Sequence, residues 1–234
     1  MQTRVQSWLA KLSQKTLKLS AMQIIVLAFL GIVLSGCLLL LLPISSRSGA
    51  SCGLLTALFT ATSATCVTGL SLVDTWTQWS AFGQVILLCL IQIGGLGFMT
   101  IASTYFFLFK RKINLRQRLV MAQAMSVSEI GGVVRLVRHV LVATITIELA
   151  GAVVLALRLI PDVGVTRGIW WGIFHSVSAF CNAGFDLMGG LHNGSSITAY
   201  AGDWVVSVTI MALIILGGLG FVVWEDFQIG RAHV

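Results

Sequence analysis

The amino-acid sequence predicts an all-α integral membrane protein made of two parallel repeats. Each repeat consists of a helix, a segment that enters the membrane and turns back, and a second helix. The chain has 234 residues, of which 57% are hydrophobic and 10% charged, far fewer charges than a soluble domain carries. The charges are clustered, which leaves uncharged stretches at 19–46, 81–109 and 204–224. The two halves of the chain also share motifs.

The positive charges indicate topology. A bilayer core about 30 Å thick needs about 20 apolar residues in a helix, so each uncharged stretch is long enough to span it. The net charge of +7 comes mainly from residues 1–20 and 110–138. Basic residues mark the cytoplasmic side, so both segments are expected there. This distribution predicts contact with membrane lipid rather than with nucleic acid.

The first predicted repeat covers residues 21–109. Its first helix is expected at about 21–42, where Pro43 stops it because proline cannot continue a helix. Its second helix is expected at about 80–109. Between them, residues 50–73 are uncharged but rich in Ser and Thr. Irregular backbone at membrane depth survives only inside protein or against water, so this segment is expected to be a re-entrant helix and loop.

The second predicted repeat covers residues 139–228. Its first helix is expected at about 139–160, ending at Pro161. A second re-entrant segment is expected at about 168–187, and the last helix at about 203–224. Both repeats run from cytoplasm to cytoplasm, so they are parallel and related by an axis along the membrane normal. That arrangement puts a pore on the axis.

Three further segments complete the domain organisation. Residues 1–20 form a cytoplasmic N-terminal segment, and 110–138 form a basic cytoplasmic linker. Residues 229–234 break from the preceding pattern, and one reading frame of a common sequencing adapter encodes the same string. We expect this tail to be non-native, with the natural protein continuing past about residue 228; the alternative is a natural short tail.

The re-entrant segments align without a gap, 63–69 with 178–184, and both end in Gly. A second pair of strings, 92–98 and 215–221, also matches. Carbonyl oxygens of a short loop can coordinate a dehydrated cation without a fixed charge, and Gly tolerates the backbone conformation required. The candidate ion-selectivity positions are Cys66, Val67, Thr68, Gly69, Cys181, Asn182, Ala183 and Gly184.

Four ionisable residues are further candidates. Glu148 lies inside a predicted span, where a charge costs several kcal/mol. It is expected either to line the ion pathway or to bind a structural partner such as a backbone amide, Ser or Thr. Asp74 and Asp186 follow the two loops, where they could attract cations at the pore mouth or be ordinary solvated carboxylates. His175 is expected to be a packing histidine rather than a proton relay.

Two pairs of features have two interpretations each. Thr68 and Asn182 are expected to orient loop carbonyls, because the loop is repeated, and the alternative is that they cap turns. The Gly-rich strings 94–97 and 217–220 are either gating hinges or, as we expect, sites of close helix packing.

The cysteines predict no catalytic or metal chemistry. The five cysteines form no ligand pattern, so neither a disulfide, a metal site nor a cofactor is expected. An intramembrane enzyme using Cys66 or Cys181 with His175 is the alternative. Nothing in the sequence orients the histidine, so the chain is not expected to be an enzyme.

Four strings carry a specific resemblance: 57–64, 67–70, 92–100 and 174–185. They resemble the membrane subunit of the Trk/Ktr/HKT potassium transporter superfamily. The resemblance extends from about 20 to 228 and covers two of four M1–P–M2 repeats. It implies potassium uptake through a backbone-carbonyl filter formed by the candidate positions. Cys66 and Cys181 differ from the Thr, Ser or Asn expected there, which matters only if a side-chain hydroxyl binds the ion.

The resemblance also implies partners. It implies a homodimer in the bacterial cytoplasmic membrane, bound to a cytosolic nucleotide-binding regulatory subunit. K⁺ is the transported ion, with Na⁺ as a coupling ion in many members. Two filter strands cannot encircle an ion, so this chain is expected not to conduct alone. A non-conducting remnant that only assembles with partners is the alternative function.

Overall fold

A computed structural model describes residues 21–97, 133–191 and 196–219. The α-helices in these ranges are α1 (Ala21–Leu41), α2 (Leu54–Thr65), α3 (Thr75–Gln78), α4 (Ala81–Leu96), α5 (Val133–Val163), α6 (Val165–Phe180) and α7 (Trp204–Gly218). Short 3₁₀ turns form at Pro43–Ser45, Met188–Gly190 and Ile197–Tyr200. No β-strand occurs in the described ranges, where Ser46 and Trp79 form an isolated bridge. The all-α class is therefore confirmed for this part of the chain.

Helix α1 ends one residue before its predicted limit. Leu42 is already extended, and Pro43 begins the 3₁₀ turn, as expected of a residue that fixes its own φ and restricts its predecessor. On the outer face, Leu34 is 49% and Leu38 67% exposed, whereas Leu40 is fully buried. Such an apolar outer face suits contact with lipid.

Helix α4 begins at a capped terminus, because the Ser80 hydroxyl accepts a hydrogen bond from the Gly83 amide (3.3 Å). The Ser80 amide donates to the Ser45 carbonyl oxygen (2.9 Å), which joins the start of α4 to the end of α1. The helix ends at Leu96. The predicted continuation to 109, the linker 110–138, the N-terminal segment 1–20 and the tail 229–234 lie outside the described residues, apart from the first turns of α5 at 133–138.

Helix α5 runs through Pro161 to Val163, so the prediction that it ends at Pro161 is wrong. Proline in the last turn removes one hydrogen bond at most there, which explains the tolerance. Gly164, with φ of 85°, ends the helix instead, and its amide donates to the Ile160 carbonyl oxygen (2.9 Å). The part from Arg138 to Val163 is long and apolar enough to cross a membrane; other apolar helices in the described ranges are shorter.

The second half is joined by an ion-pair network at one end of α5 and α7. Arg158 pairs with Asp162 (2.9 Å) and with Asp203. Asp203 also caps α7, accepting from the amides of Val205 (3.0 Å) and Val206 (3.2 Å). One carboxylate therefore fixes both the start of α7 and its position beside α5.

Glycines let the helices pack closely. A Cβ at Gly94 would collide with the carbonyl oxygen of Thr65, and one at Gly217 with that of Phe180. Thr65 and Phe180 are the last residues of α2 and α6, and they occupy matching positions in the aligned strings. At these two positions the Gly-rich strings therefore provide close packing, as expected.

Candidate functional site

The loop that follows α2 is closed by backbone hydrogen bonds to that helix. The Cys66 amide donates to the Thr62 carbonyl oxygen (2.8 Å), and the Thr68 amide donates to that of Ser63 (3.0 Å). We call residues 66–69 the first loop. Its first residue is the C-cap of α2, so the loop begins directly at the helix C-terminus.

The loop that follows α6 repeats this pattern. The Cys181 amide donates to the Val177 carbonyl oxygen (2.9 Å), and the Ala183 amide donates to that of Ser178 (2.7 Å). We call residues 181–184 the second loop. Every donor and acceptor matches its counterpart in the first loop at the position given by the sequence alignment.

Both loops use left-handed backbone at their second and fourth residues. The φ angles are 51° at Val67 and 58° at Asn182, and 73° at Gly69 and 72° at Gly184. Glycine adopts this region without strain, and Asn does so more readily than other residues. A β-branched valine is an outlier there. The first loop therefore holds Val67 in a conformation that its side chain disfavours.

A buried serine ties the end of each loop back to its helix. Ser63 Oγ donates to the Leu70 carbonyl oxygen, and Ser178 Oγ donates to that of Phe185, both at 2.6 Å. Ser63 also hydrogen-bonds to the Thr68 hydroxyl (2.8 Å). The second loop has Ala183 at that position and lacks this contact.

The two loops lie against each other in the structure. A Cβ at Gly69 would be 2.7 Å from the carbonyl oxygen of Ala183 and 3.3 Å from the Cα of Gly184. A Cβ at Gly184 would be 3.5 Å from the Cα of Gly69. Residues 115 positions apart in the chain thus meet through their backbones. The fold brings the predicted positions of both halves together.

Asn182 connects the second loop to the last helix. Its side-chain Nδ2 donates to the carbonyl oxygens of Phe180 and Ile214, both at 3.4 Å. Ile214 belongs to α7. The equivalent Val67 has no polar group with which to make such a link. Asn182 and Thr68 thus stabilise their loops through different partners, one on a neighbouring helix and one on the preceding helix.

The helices α2 and α6 direct their C-terminal ends toward the loops. A helix C-terminus carries a partial negative charge equivalent to about half an elementary charge. Two such ends, with carbonyl groups between them, favour a cation over an anion. The arrangement is suited to binding a cation without a carboxylate in the loops themselves.

Asp74 and Asp186 are brought close together beyond the loops. Asp74 caps α3 by accepting from the Thr77 amide (2.7 Å), and a Cβ at Gly189 would collide with its carboxylate. Asp186 accepts from the Met188 amide (2.9 Å). Burial, together with the nearby charge of Asp74, raises the pKa of Asp186 despite that hydrogen bond.

His175 hydrogen-bonds to the segment that follows the second loop. Its Nε2 accepts from the Leu187 amide (3.2 Å), so its Nδ1 carries the proton and donates to the Trp171 carbonyl oxygen (2.7 Å). Both ring nitrogens are therefore used by backbone groups. This is the satisfied packing histidine that the sequence predicts.

Glu148 has a partner that sequence reasoning missed. Its carboxylate accepts from the Gln92 side-chain amide at 3.0 and 3.1 Å, rather than from a backbone amide, Ser or Thr. The signal was a glutamine in the middle of an uncharged stretch, where an amide needs a polar partner. Only the fold reveals that the two side chains meet across 56 positions.

A cavity of about 230 Å³ lies beside the second loop. The loop side of its wall includes Asn182 and Gly184, and α7 contributes Ile210 and Ile214. Asp186 also lines the cavity. The second loop therefore borders open space on its α7 side.

Comparisons with known proteins agree on one family. Residues 3–233 match the family model described as TrkH, cation transport protein. The chain is 45% identical over 209 residues to the potassium/sodium uptake protein NtpJ of Enterococcus hirae, covering 89% of this chain and 45% of that protein. It is 41% identical over 217 residues to the Ktr system potassium uptake protein B of Bacillus subtilis, covering 93% and 47%. The chain spans about half the length of these curated relatives.

Proposed function

Because this chain belongs to the TrkH family of cation transport proteins, we propose that it forms part of the ion-translocating subunit of a Ktr/Trk-type potassium uptake system. As a member of that family it is a membrane protein. The relatives named above are potassium uptake proteins, one of them for potassium and sodium. K⁺ is accordingly the proposed transported ion, with Na⁺ as the candidate coupling ion.

The observation that carries this proposal is the pair of matching loops that meet at Gly69 and Gly184. In each loop, alternating left-handed residues reorient successive peptide groups. Carbonyl oxygens presented in this way can replace part of the hydration shell of K⁺. The helix C-termini behind the loops add a favourable field. We assign the filter to Cys66, Val67, Thr68, Gly69, Cys181, Asn182, Ala183 and Gly184.

The proposed topology consists of two M1–P–M2 repeats. The first, residues 21–109, contains α1, the pore helix α2 and α4; the second, residues 139–228, contains α5, the pore helix α6 and α7. Residues 1–20 and the linker 110–138 are cytoplasmic. The matching packing of Gly94 and Gly217 on the pore-helix ends supports this pairing.

We place Asp74 and Asp186 at the outer mouth of the pathway. Their proximity, and the limited exposure of Asp186, concentrate negative charge beside the loops. Such a charge raises the local concentration of cations.

The complete transporter is proposed to act in the bacterial cytoplasmic membrane as a homodimer with a cytosolic nucleotide-binding regulatory subunit. The word system in the names of two Bacillus subtilis relatives supports more than one component. Two loops cannot surround an ion, so the 234-residue chain alone is expected to give no selective flux in liposomes.

The test is potassium-dependent growth and rubidium uptake by cells that lack their own uptake systems and express the full-length protein. Gly69→Asp and Gly184→Asp place a carboxylate where the two loops meet and should abolish uptake. Gly49→Asp is the matched control, because Gly49 has φ of 72° and no atom within 4 Å of an added Cβ. Near-normal uptake by both loop variants would overturn the filter assignment.

A further inference from the structure

Glu148 and Gln92 form a polar contact between the two halves, directly beside the second loop. Glu148 lies on α5 and is only 7% exposed. Both of its carboxylate oxygens accept from Gln92 on α4, at 3.0 and 3.1 Å. Ser176 on α6 donates to the Glu148 backbone carbonyl oxygen (2.7 Å), which fixes α5 against α6.

The same contact holds the first residue of the second loop. Cys181 Sγ lies 3.9 Å from an oxygen of the Gln92 side chain and 3.9 Å from a carboxylate oxygen of Glu148. Gly95, one turn beyond Gln92, leaves room for it, since a Cβ there would lie 2.5 Å from the sulfur. Gln92, Gly95 and Glu148 thus lie around the Cys181 side chain.

The counterparts of Gln92 and Glu148 in the internal repeat are apolar residues on α7 and α1. In the aligned strings 92–98 and 215–221, Gln92 corresponds to Ile215. The first helices of the two repeats, α1 and α5, can be aligned by their packing. Gly36 lies against Leu90 as Gly151 lies against Leu213, so equivalent positions in α1 and α5 are 115 apart. The same shift makes Val33 the counterpart of Glu148.

Ile215 is 62% exposed, so the repeat contains no second copy of this contact, and the polar pair is a feature of the place where α4 meets α5. Burying a carboxylate and an amide costs free energy even when they are hydrogen-bonded, and apolar residues of similar volume pack as well or better. The contact between Gln92 and Glu148 joins the two halves, and both side chains also lie near Cys181 of the second loop. A role at the loop accounts for what packing alone leaves unexplained.

We propose that Gln92 and Glu148 are positioning residues that hold the second loop through Cys181 and thereby set its discrimination between K⁺ and Na⁺. The inference rests on the proposed filter. A carbonyl cage distinguishes the two ions by its size or by the field of its oxygens, and both change when the first residue of the loop shifts by a fraction of an ångström. The Glu148 carboxylate and Gln92 amide restrict that shift.

The test replaces the pair by its counterparts from the other half, as Gln92→Ile with Glu148→Val, in the full-length transporter. Removing both partners leaves no orphaned polar group, so the variant should fold. The apparent KM for K⁺ and for Na⁺ is measured by uptake into cells. We expect the preference for K⁺ to fall about tenfold, whereas an unchanged preference would overturn the proposal.

Two further variants keep the test decisive if the double variant does not accumulate. The exchange Gln92→Glu with Glu148→Gln keeps one amide and one carboxylate in contact and should retain the wild-type preference. Glu148→Gln alone puts two amides together and should lower the preference about threefold. Overturning results are loss of preference in the exchange variant, or no change in the single variant.

Gln84→Leu is the matched control. Gln84 is a buried glutamine on α4 that bridges to α6, accepting from Trp170 Nε1 (2.7 Å), but it does not touch the loop. Its loss should lower the amount of protein without changing the K⁺ preference, and a matching change of preference would overturn the proposal. If the wild-type transporter itself shows no potassium uptake, the proposed function fails, whatever the variants do.

Discussion

The first and second loops adopt one backbone conformation with different side chains. Between their shared Cys and Gly, one has Val67 and Thr68 and the other Asn182 and Ala183. The hydrogen bonds to the preceding helix and the left-handed residues are nevertheless the same. What the two loops have in common is their backbone conformation, and the proposed filter depends on backbone oxygens rather than on side chains.

The supports of the loops differ more than the loops themselves. The first loop is held by the preceding helix, through the hydrogen bond between Ser63 and Thr68. The second is held by neighbours, through Asn182 to α7 and through Cys181 to the Gln92–Glu148 pair. The same backbone can thus be stabilised locally or by the surrounding helices. The second loop should therefore be more sensitive to changes elsewhere in the protein.

The largest expected difference between the loops is at their glycines. Alanine at either position costs about 1 kcal/mol because φ is positive. Gly69→Ala also brings a methyl group 2.7 Å from the Ala183 carbonyl oxygen, whereas Gly184→Ala meets its nearest atom at 3.5 Å. Gly69→Ala should therefore reduce rubidium uptake by the full-length protein about tenfold more than Gly184→Ala.

Gly53→Ala is the control for both alanine variants, since Gly53 has φ of 84° and open space around it. It should retain uptake near the wild-type level. Equal losses in Gly69→Ala and Gly184→Ala would contradict the close approach of the two loops.

A smaller effect is expected at the second position of each loop. Val67→Asn puts a residue that tolerates left-handed backbone in place of a strained one and should stabilise the protein by about 1 kcal/mol. Asn182→Val should destabilise it by more than that, because it also removes the hydrogen bonds to Phe180 and Ile214. Thermal unfolding of the purified full-length protein measures both changes. A stabilising Asn182→Val would reverse the comparison.

The smallest effect is expected at the two carboxylates. The raised pKa of Asp186 means that it takes up a proton at a higher pH than an ordinary aspartate. Acidification should therefore raise the apparent KM for K⁺ about twofold to fivefold as this charge is lost. When uptake is measured across pH, this rise of the apparent KM on acidification should be absent in Asp186→Asn. In Asp74→Asn the transition should move to lower pH, because a charge that raises the Asp186 pKa has gone.

If neither carboxylate variant changes the pH profile, Asp74 and Asp186 do not lie at the pore mouth. Asparagine can still cap α3 at position 74, so a loss of folding does not explain a change in Asp74→Asn.

Composition and repetition were enough to predict much of the fold. The uncharged stretch and Pro43 predicted α1 to within a residue of its observed end. The aligned strings predicted that both loops share one conformation, because a local sequence pattern determines local hydrogen bonding. The filter role of the loops stays a prediction, as do the domain boundaries.

What the sequence did not predict are contacts between distant positions. The sequence predicts a helix end at Pro161 because proline disfavours helix interiors, but the cost of proline is small in a last turn. The contact between Gln92 and Glu148 depends on how α4 lies against α5, which no local pattern encodes. The collision of a side chain at Gly94 with the Thr65 carbonyl oxygen likewise depends on how the end of α2 lies against α4.

The ion pair between Arg158 and Asp203 bears on how the protein is synthesised. The two residues are 45 positions apart, so Arg158 emerges from the ribosome well before Asp203 does. Until then, its nearby neutralising group is Asp162, one turn away on the same helix. The contact that joins α5 to the start of α7 can form only after Asp203 has been synthesised, so the second half reaches its final arrangement late in synthesis.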